Sequence, residues 1–232
     1  MIDLHTHSTA SDGAFSPAAL MEKASAEGLS AIALTDHDSV DGIDEARAAA
    51  TRLGLRFIAG IEIEIAFAPG EFHLLGLDFA SIGPGLAAAA GELAASREER
   101  NRAVLDKLGE LGLDLEYDEF KRSVGTGMIG RPHIAELMLK KGIVRSKQDA
   151  FDRYLAKGRP FYVQKACLPL ARAIEVIRES GGLAFVAHPL SLFVSWTRMR
   201  ALMAEWKELG IDRKSTRLNS IYGKLSCMQS SV

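Results

Sequence analysis

Two histidines open this sequence at a spacing that suits metal binding. The chain starts MIDLHTH, so His5 and His7 stand two residues apart in a run that is typical of a strand. Alternate side chains of a strand point to the same face, and two imidazoles on one face can bind one metal ion. For an isolated pair, the alternative is one surface histidine beside one core histidine. The rest of the chain favours the metal site.

Further metal-binding side chains occur in the other strand-like runs. His37 ends LSAIALTDH, His188 lies near the end of LAFVAHP, and Glu62 lies in LRFIAGIEIEI, whereas His73 stands at the start of FHLLGLDF. Parallel α/β folds place their active sites where the carboxyl ends of strands meet. Imidazole and carboxylate together suit zinc, manganese or iron. The pattern therefore predicts one metal site assembled from several strands.

Strand-like and helical patterns alternate over residues 1–84. Ser16 and Pro17 predict the start of a helix that ends at Gly28, and IDEARAAATRL predicts a second helix that ends at Gly54. Together with the strand-like runs, this βαβα order predicts an α/β fold with a parallel sheet or barrel and helices outside it.

The pattern changes after residue 84. Residues 85–165 contain helical patterns and no strand-like run, which predicts a helical insertion, and residues 166–212 return to a helix, a strand and a helix. Residues 213–232 show no sustained periodicity, and their KSTRLNS segment resembles translated adapter sequence. An ordinary flexible tail is the alternative. We therefore expect two barrel segments, 1–84 and 166–212, separated by the insertion and followed by a tail that is not native.

Composition and charge exclude several classes of partner. The formal net charge of −2 gives no global attraction to nucleic acid or to anionic membranes. The chain has no apolar run of about 18 residues and no signal-peptide pattern, so we expect no membrane partner. The two cysteines, Cys167 and Cys227, make no disulfide framework. A cytoplasmic location is expected.

The ordered set of motifs resembles one known family. DLHTHSTASDG, LTDHDSVDG, GIEIE, FHLLGLDF and AFVAHP are similar to successive motifs of the PHP (polymerase and histidinol phosphatase) superfamily. The insertion with RPHIAELMLKKG resembles that of bacterial PHP phosphoesterases acting on 3′,5′-nucleoside bisphosphates and short RNA. The resemblance implies a distorted (β/α)7 barrel with three divalent metal ions, manganese first, with iron, zinc or magnesium as alternatives.

The resemblance also implies a role for each ligand. His5 and His7 would bind one ion, Glu62 would bridge it to a second that His73 and His188 complete, and Asp12 and His37 would bind the third. Glu62, His188 and Asp12 would be the catalytic residues among them. Cations in such a site can activate water and neutralise the phosphoryl oxygens. Asp36 and Asp38 flank His37 and are candidates either for orienting ligands or for capping the loop.

A second phosphate or a base needs groups other than the metal ligands. The arginine fork matches phosphate, and the resemblance makes the RPH motif and a lysine the best candidates. A solvated helix face is the alternative for the two arginines near residue 100, and a surface position at a helix start is the alternative for the histidine of RPH. Aromatic residues are only 7% and scattered, which favours a small nucleotide or a short oligonucleotide end over long nucleic acid. The candidate substrate-binding residues are Arg97, Arg100, Asn101, Arg131, His133 and Lys165.

Other functions are compatible with these motifs. A metal-dependent amidohydrolase also begins with two alternate histidines on a barrel strand, and a histidinol phosphate phosphatase shares the chemistry. The family places a final Asp-x-His motif on the last barrel strand, but no histidine follows His188. We therefore expect a barrel that is incomplete at its C-terminal end and a chain that is poorly stable and weakly active. An inactive PHP module is the third alternative.

Overall fold

The computed structural model describes residues 1–113, 115–125 and 128–211. The strands and the long helices that the hydrophobic pattern predicts are confirmed, whereas α6 and two short turns of other helix types (π-helical at Phe151–Leu155, 3-10 at Pro189–Leu192) were not predicted. The elements in chain order are β1 (Ile2–Thr6), α1 (Pro17–Ala26), β2 (Ala31–Leu34), α2 (Ile43–Leu53), β3 (Arg56–Ile65), β4 (Phe72–Leu77), α3 (Pro84–Gly109), α4 (Tyr117–Val124), α5 (Arg131–Lys140), α6 (Lys147–Ala150), α7 (Leu170–Glu179), β5 (Leu183–Val186) and α8 (Trp196–Glu208).

The strands of the described residues form one mixed sheet in the order β1-β2-β3-β4-β5. β1, β2 and β3 are parallel, but β4 is antiparallel to both of its neighbours. The expectation of a parallel sheet is therefore wrong for β4. Only six residues, 66–71, connect β3 to β4, which is too short for the crossover that a parallel pair needs.

The reversed direction of β4 explains the position of His73. The carboxyl ends of β1, β2, β3 and β5 lie at one edge of the sheet, and the start of an antiparallel strand lies at that same edge. His73 is the second residue of β4, so it reaches the edge that the other histidines reach from strand ends.

Helices α1 and α2 cover one face of the sheet at β2. Ser16 caps α1 by accepting the N–H of Ala19 at 3.2 Å, with Pro17 as the first helical residue, as predicted. Met21 of α1 and Ala46 of α2 are buried in one cluster with Ile32 of β2. On the other face, residues of β2, β4 and β5 form a second cluster: Ala33, Leu75, Leu77, Phe185 and Ala187. β2 is therefore buried on both faces.

The chain divides into two compact units. One contains Met1–Gly91 and the described residues from Cys167 onward, and the other contains Glu92–Ala166. The second unit has its own apolar core, to which Leu108 of α3, Phe120 of α4 and Ile134 of α5 contribute. Within the described residues, no helix is long and apolar enough to cross a membrane.

Candidate metal centre

The carboxylate of Glu62 lies at the centre of five imidazoles. Its side chain is 1% exposed. Oε2 lies 3.0 Å from Nε2 of His5 and 3.2 Å from the nearest ring nitrogens of His7 and His37. Oε1 lies 3.1 Å from Nδ1 of His73 and 3.0 Å from Nε2 of His188. The carboxylate of Glu62 therefore contacts all five histidines that the strand-like runs of the sequence carry.

Backbone pairing holds Glu62 against the residues around His37. His37 and Glu62 form an isolated parallel bridge beyond the end of β2. The N–H of Glu62 donates to the carbonyl of Asp36, and the N–H of Asp38 donates to the carbonyl of Glu62. In the β3–β4 register His73 lies opposite Glu64, and side chains two residues apart on β3 share a face. Strand pairing therefore fixes three of the ligands relative to one another.

All seven predicted metal ligands lie in this one place. Oδ1 of Asp12 lies 3.9 Å from Nδ1 of His7, and its Oδ2 lies 4.0 Å from Nε2 of His37. Two groups have ligand atoms that all lie within 4.8 Å of one another, and both include Glu62. One adds His5 and His188 and the other adds His7 and His37, so each draws histidines from two of the ions that the resemblance implies. The assignment of ligands to individual ions stays a prediction.

The donor set fits divalent cations. Two ligands that each lie about 2.1 Å from one ion are roughly 3.0–3.4 Å apart in tetrahedral or octahedral geometry, close to the imidazole–carboxylate distances around Glu62. Ser191 provides an independent test. Its Oγ lies 2.8 Å from Nδ1 of His188 and donates its one proton to the carbonyl of Glu71 or of His188. When the hydroxyl donates to one of these carbonyls, Nδ1 of a neutral His188 ring donates to Oγ and Nε2 presents a lone pair toward Glu62, an arrangement that a shared cation stabilises.

Comparison with known proteins identifies the family. A model of the PHP domain matches residues 3–154. The chain belongs to the PHP family. The chain is 38% identical to a 5′-3′ exoribonuclease of Haemophilus influenzae, over 90% of this chain and 76% of that protein. It is 34% identical to a 3′,5′-nucleoside bisphosphate phosphatase of Chromobacterium violaceum, over 90% of this chain and 74% of that protein.

A solved structure supports the same assignment. An amidohydrolase from Chromobacterium violaceum, with bound sulfate and no metal, aligns with a TM-score of 0.83 and 33% identity, over 91% of this chain and 75% of that one. The PHP resemblance seen in the motifs and the prediction of a phosphoric ester hydrolase are confirmed. The α/β fold of the PHP family is confirmed as well.

Asp36 organises the loop that carries Asp12. Its Oδ1 accepts the N–H of Ser8 at 2.7 Å and the hydroxyl of Ser11, and its Oδ2 accepts the hydroxyl of Ser8 at 2.7 Å. Both serines lie between His7 and Asp12 in the first PHP motif. The sequence makes Asp36 a candidate either for orienting ligands or for capping the loop, and its hydrogen bonds are with this loop. No local pattern marks the two serines as its partners.

Electrostatics at the PHP centre favour an ionised carboxylate. Burial alone would raise the pKa of Glu62, but His37 and the hydrogen bonds from the other imidazoles hold this pKa well below its usual range. Burial lowers the pKa of His7, yet Glu62 and the nearby carboxylates outweigh it and raise the pKa to about 9. Burial lowers the pKa of His37 to about 4. The pKa values of these neighbouring imidazoles are therefore shifted in opposite directions, because the carboxylates outweigh burial at His7 and burial outweighs them at His37.

The predicted substrate-binding residues all belong to the second unit. Arg97, Arg100 and Lys165 are buried, with 9%, 4% and 6% of their surface exposed. The alternative interpretation, that Arg97 and Arg100 lie on a solvated helix face, is therefore wrong. Arg102 occupies that face instead, where it pairs with Glu98 at 2.8 Å. Burial of a cation is costly unless it is paired or hydrogen-bonded, so interactions within the protein accompany the burial of these three side chains.

Three further candidates make contacts within the second unit. Asn101 is fully buried, and its Nδ2 donates to the carbonyl of Ile129 at 2.8 Å. Nδ1 of His133 accepts the N–H of Gly130 at 2.9 Å at the start of α5. Arg131 lies 5.4 Å from the centre of the Tyr162 ring. Asn101 and His133 thus have a structural role, and their binding of substrate stays a prediction. The tail from 213 to 232 falls outside the described residues, and its sequence contains no Asp-x-His motif.

Proposed function

We propose that this PHP chain hydrolyses the phosphate monoesters of 3′,5′-nucleoside bisphosphates with the help of divalent cations, manganese first among them. The observation that carries the proposal is the convergence of five imidazoles on the buried carboxylate of Glu62, with Asp12 beside two of them. The relatives named as a 3′,5′-nucleoside bisphosphate phosphatase and a 5′-3′ exoribonuclease support this substrate class, with short RNA 5′ ends as a second substrate.

The chain's own residues explain why phosphate esters suit this centre. Cations held by the seven ligands would neutralise the phosphoryl oxygens and lower the pKa of water. Glu62 stays ionised and joins the ligand groups, while Ser191 fixes the ring of His188 with Nε2 toward Glu62. Because the ligands other than Asp12 lie within the five strands or within three residues of a strand end, the sheet holds them in place before substrate arrives. Three cations, a distorted (β/α)7 barrel and a cytoplasmic location are part of this proposal.

We also propose that the second unit supplies phosphate-binding groups. Arginine presents a planar fork that binds phosphate oxygens in pairs, and lysine adds a point charge. The positions of Arg97, Arg100 and Lys165 support this role, because all three cationic side chains are buried and belong to the unit that carries the RPH motif. Arg131 and His133, in the RPH motif, complete the proposed set with Asn101.

The test is phosphate release from adenosine 3′,5′-bisphosphate with Mn²⁺. We expect hydrolysis by the wild type, loss of more than a thousandfold in rate for Glu62→Gln, and full activity for Glu98→Gln, whose carboxylate pairs with Arg102 in the second unit. Histidinol phosphate should be a poor substrate because it carries one phosphate. Hydrolysis of a cyclic amide without phosphate release would overturn the proposal in favour of an amidohydrolase.

A further inference from the structure

A cluster of exposed apolar side chains follows the metal ligand His188. Leu190, Phe193 and Trp196 are 72%, 75% and 72% exposed, the highest values among the large apolar side chains of the described residues. Exposed Arg198 and Arg200 come directly after them. We call these five residues the platform. Single exposed apolar residues are common in proteins, but three in seven residues beside a catalytic centre mark a binding surface.

The backbone of the platform is tied to the metal centre. A 3-10 turn, Pro189–Leu192, links His188 to Phe193, and at roughly 2 Å per residue this places Phe193 about 10 Å along the chain from the ligand. Ser191 binds the ring of His188, and its carbonyl accepts the N–H of Glu71 at 2.9 Å. A Cβ on Gly70 would lie 2.1 Å from the same carbonyl oxygen, so two backbone segments are in close contact here.

The exposure of Phe193 is a property of a constrained backbone. Its φ is 50°, in the left-handed region that bulky side chains rarely adopt, and His188 at the other end of the turn has a φ of 26°. Leu192 between them is fully buried and anchors the turn. Strained backbone of this kind persists where the surrounding structure fixes it, and it concentrates at functional sites.

The members of the platform follow one another along the chain. Leu190 lies on the 3-10 turn, and Phe193 comes directly after it, with its backbone in the left-handed region. Trp196 and Arg200 are four residues apart on α8, where side chains at i and i+4 are neighbours. The buried face of α8 is formed by Met199, Leu202 and Trp206, so Arg200 lies off the packed stripe. The platform therefore combines apolar and aromatic side chains with a cation.

We propose that the platform binds nucleotides of a short single-stranded RNA whose terminal phosphate lies at the metal centre. This inference rests on the proposed function. Aromatic rings stack on any base, and arginine adds charge for the backbone, which is the chemistry of single-strand recognition. The segment FVSWTRMR supplies two aromatic residues followed by two arginines.

The experiment compares a mononucleotide with an oligonucleotide. The kcat/KM for adenosine 3′,5′-bisphosphate and for a 5′-phosphorylated RNA tetranucleotide is measured with Mn²⁺, and their ratio is the readout. We expect Phe193→Ala and Trp196→Ala each to lower the preference for the tetranucleotide about tenfold, and Trp196→Phe to restore it because a ring remains. Leu53→Ala, which removes an exposed apolar side chain of α2, is the matched control and should keep the wild-type ratio.

The outcomes separate this inference from the proposed function. Hydrolysis of the bisphosphate with a ratio that neither aromatic variant changes would overturn the platform and leave the proposed function intact. No hydrolysis of either substrate would overturn the proposed function as well.

Tryptophan fluorescence tests whether something else covers the platform. The chain has two tryptophans, and Trp206 is buried against Phe72, with ring centres 4.3 Å apart. In the Trp206→Phe variant, Trp196 is the one remaining tryptophan. Without RNA, acrylamide should readily quench its fluorescence. Protection of Trp196 without RNA would mean that other residues of this chain, or a second copy, occupy the platform, and it would overturn the proposal.

Discussion

Removal of the Asp36 carboxylate tests how the metal centre is held together. Asp36 is 1% exposed and accepts three hydrogen bonds from the loop that leads to Asp12. Hydrogen bonds to a charged group contribute about 1.5–3 kcal/mol each, so their loss in Asp36→Ala costs at least about 4.5 kcal/mol. Burial raises the pKa of Asp36, which shows that the buried charge itself costs stability, and its removal offsets part of the loss. We expect a net decrease in the free energy of unfolding of about 3 kcal/mol.

Asp36→Asn is the conservative variant. The asparagine oxygen can still accept from the N–H of Ser8 and the hydroxyl of Ser11, and its amide can donate to the hydroxyl of Ser8. We expect a loss of only about 1 kcal/mol, because the geometry survives without the charge. Asp118→Ala is the surface control, because Asp118 pairs with Arg102 in the open, and it should change stability by less than about 1 kcal/mol.

The assay combines urea unfolding with Mn²⁺ titration by calorimetry. Because the loop bonded to Asp36 ends at Asp12, we expect Asp36→Ala to weaken Mn²⁺ binding about tenfold or more, and Asp36→Asn to restore most of it. An alanine variant with the stability and the Mn²⁺ affinity of the wild type would refute the reasoning. A loss of stability with unchanged Mn²⁺ affinity would show that the loop does not position a ligand.

Further predictions concern the centre and the second unit. Glu62→Gln removes the charge that five imidazoles share, so calorimetry should show Mn²⁺ binding weakened more than tenfold, and a wild-type isotherm would contradict this. Arg131→Ala should raise KM for adenosine 3′,5′-bisphosphate about tenfold with little change in kcat, as measured by initial rates. The pKa of His7 is raised to about 9 in the folded chain, so protonated His7 stabilises the fold. With a chelator present, the difference in unfolding free energy between the wild type and His7→Gln should be full below pH 6.5 and disappear as the pH rises through about 9. Leu108→Ala should lower the unfolding free energy by about 3 kcal/mol, because it opens a cavity in the core of the second unit, whereas exposed Leu111→Ala should change it by less than about 0.5 kcal/mol in the same titration.

Much of the sheet could be predicted because its strands are continuous apolar runs between clear helix signals. Ser16 with Pro17 marks a helix start, and Gly54 marks a helix end through its left-handed φ of 64°. The direction of β4 was missed, although the six-residue connection before it was a usable signal. Once β4 is reversed, His73 ceases to be an exception and becomes the fifth imidazole of the centre.

The partners of the ligands could not be predicted in this way. Asp36 binds Ser8 across 28 residues of sequence, and Ser191 binds the carbonyl of Glu71 across 120 residues. Such contacts depend on where loops meet after the strands have paired, and no periodicity encodes them. The platform was not predicted for a different reason. The aromatic content is an average over the whole chain, and this average hides one short segment with aromatic and basic residues.

The order of the strands in the sheet is also their order in the chain, from β1 to β5. Each strand leaving the ribosome therefore finds its partner already synthesised, and the sheet can grow in the direction of translation. The ligands accumulate in the same order, from His5 to His188. A nascent chain has most of a cation site long before it has the last imidazole, so we expect its hydrolytic chemistry to begin only when β5 has joined the sheet. Among the strands of residues 1–211, β5 is the last to be synthesised, so we expect catalytic competence to follow its arrival.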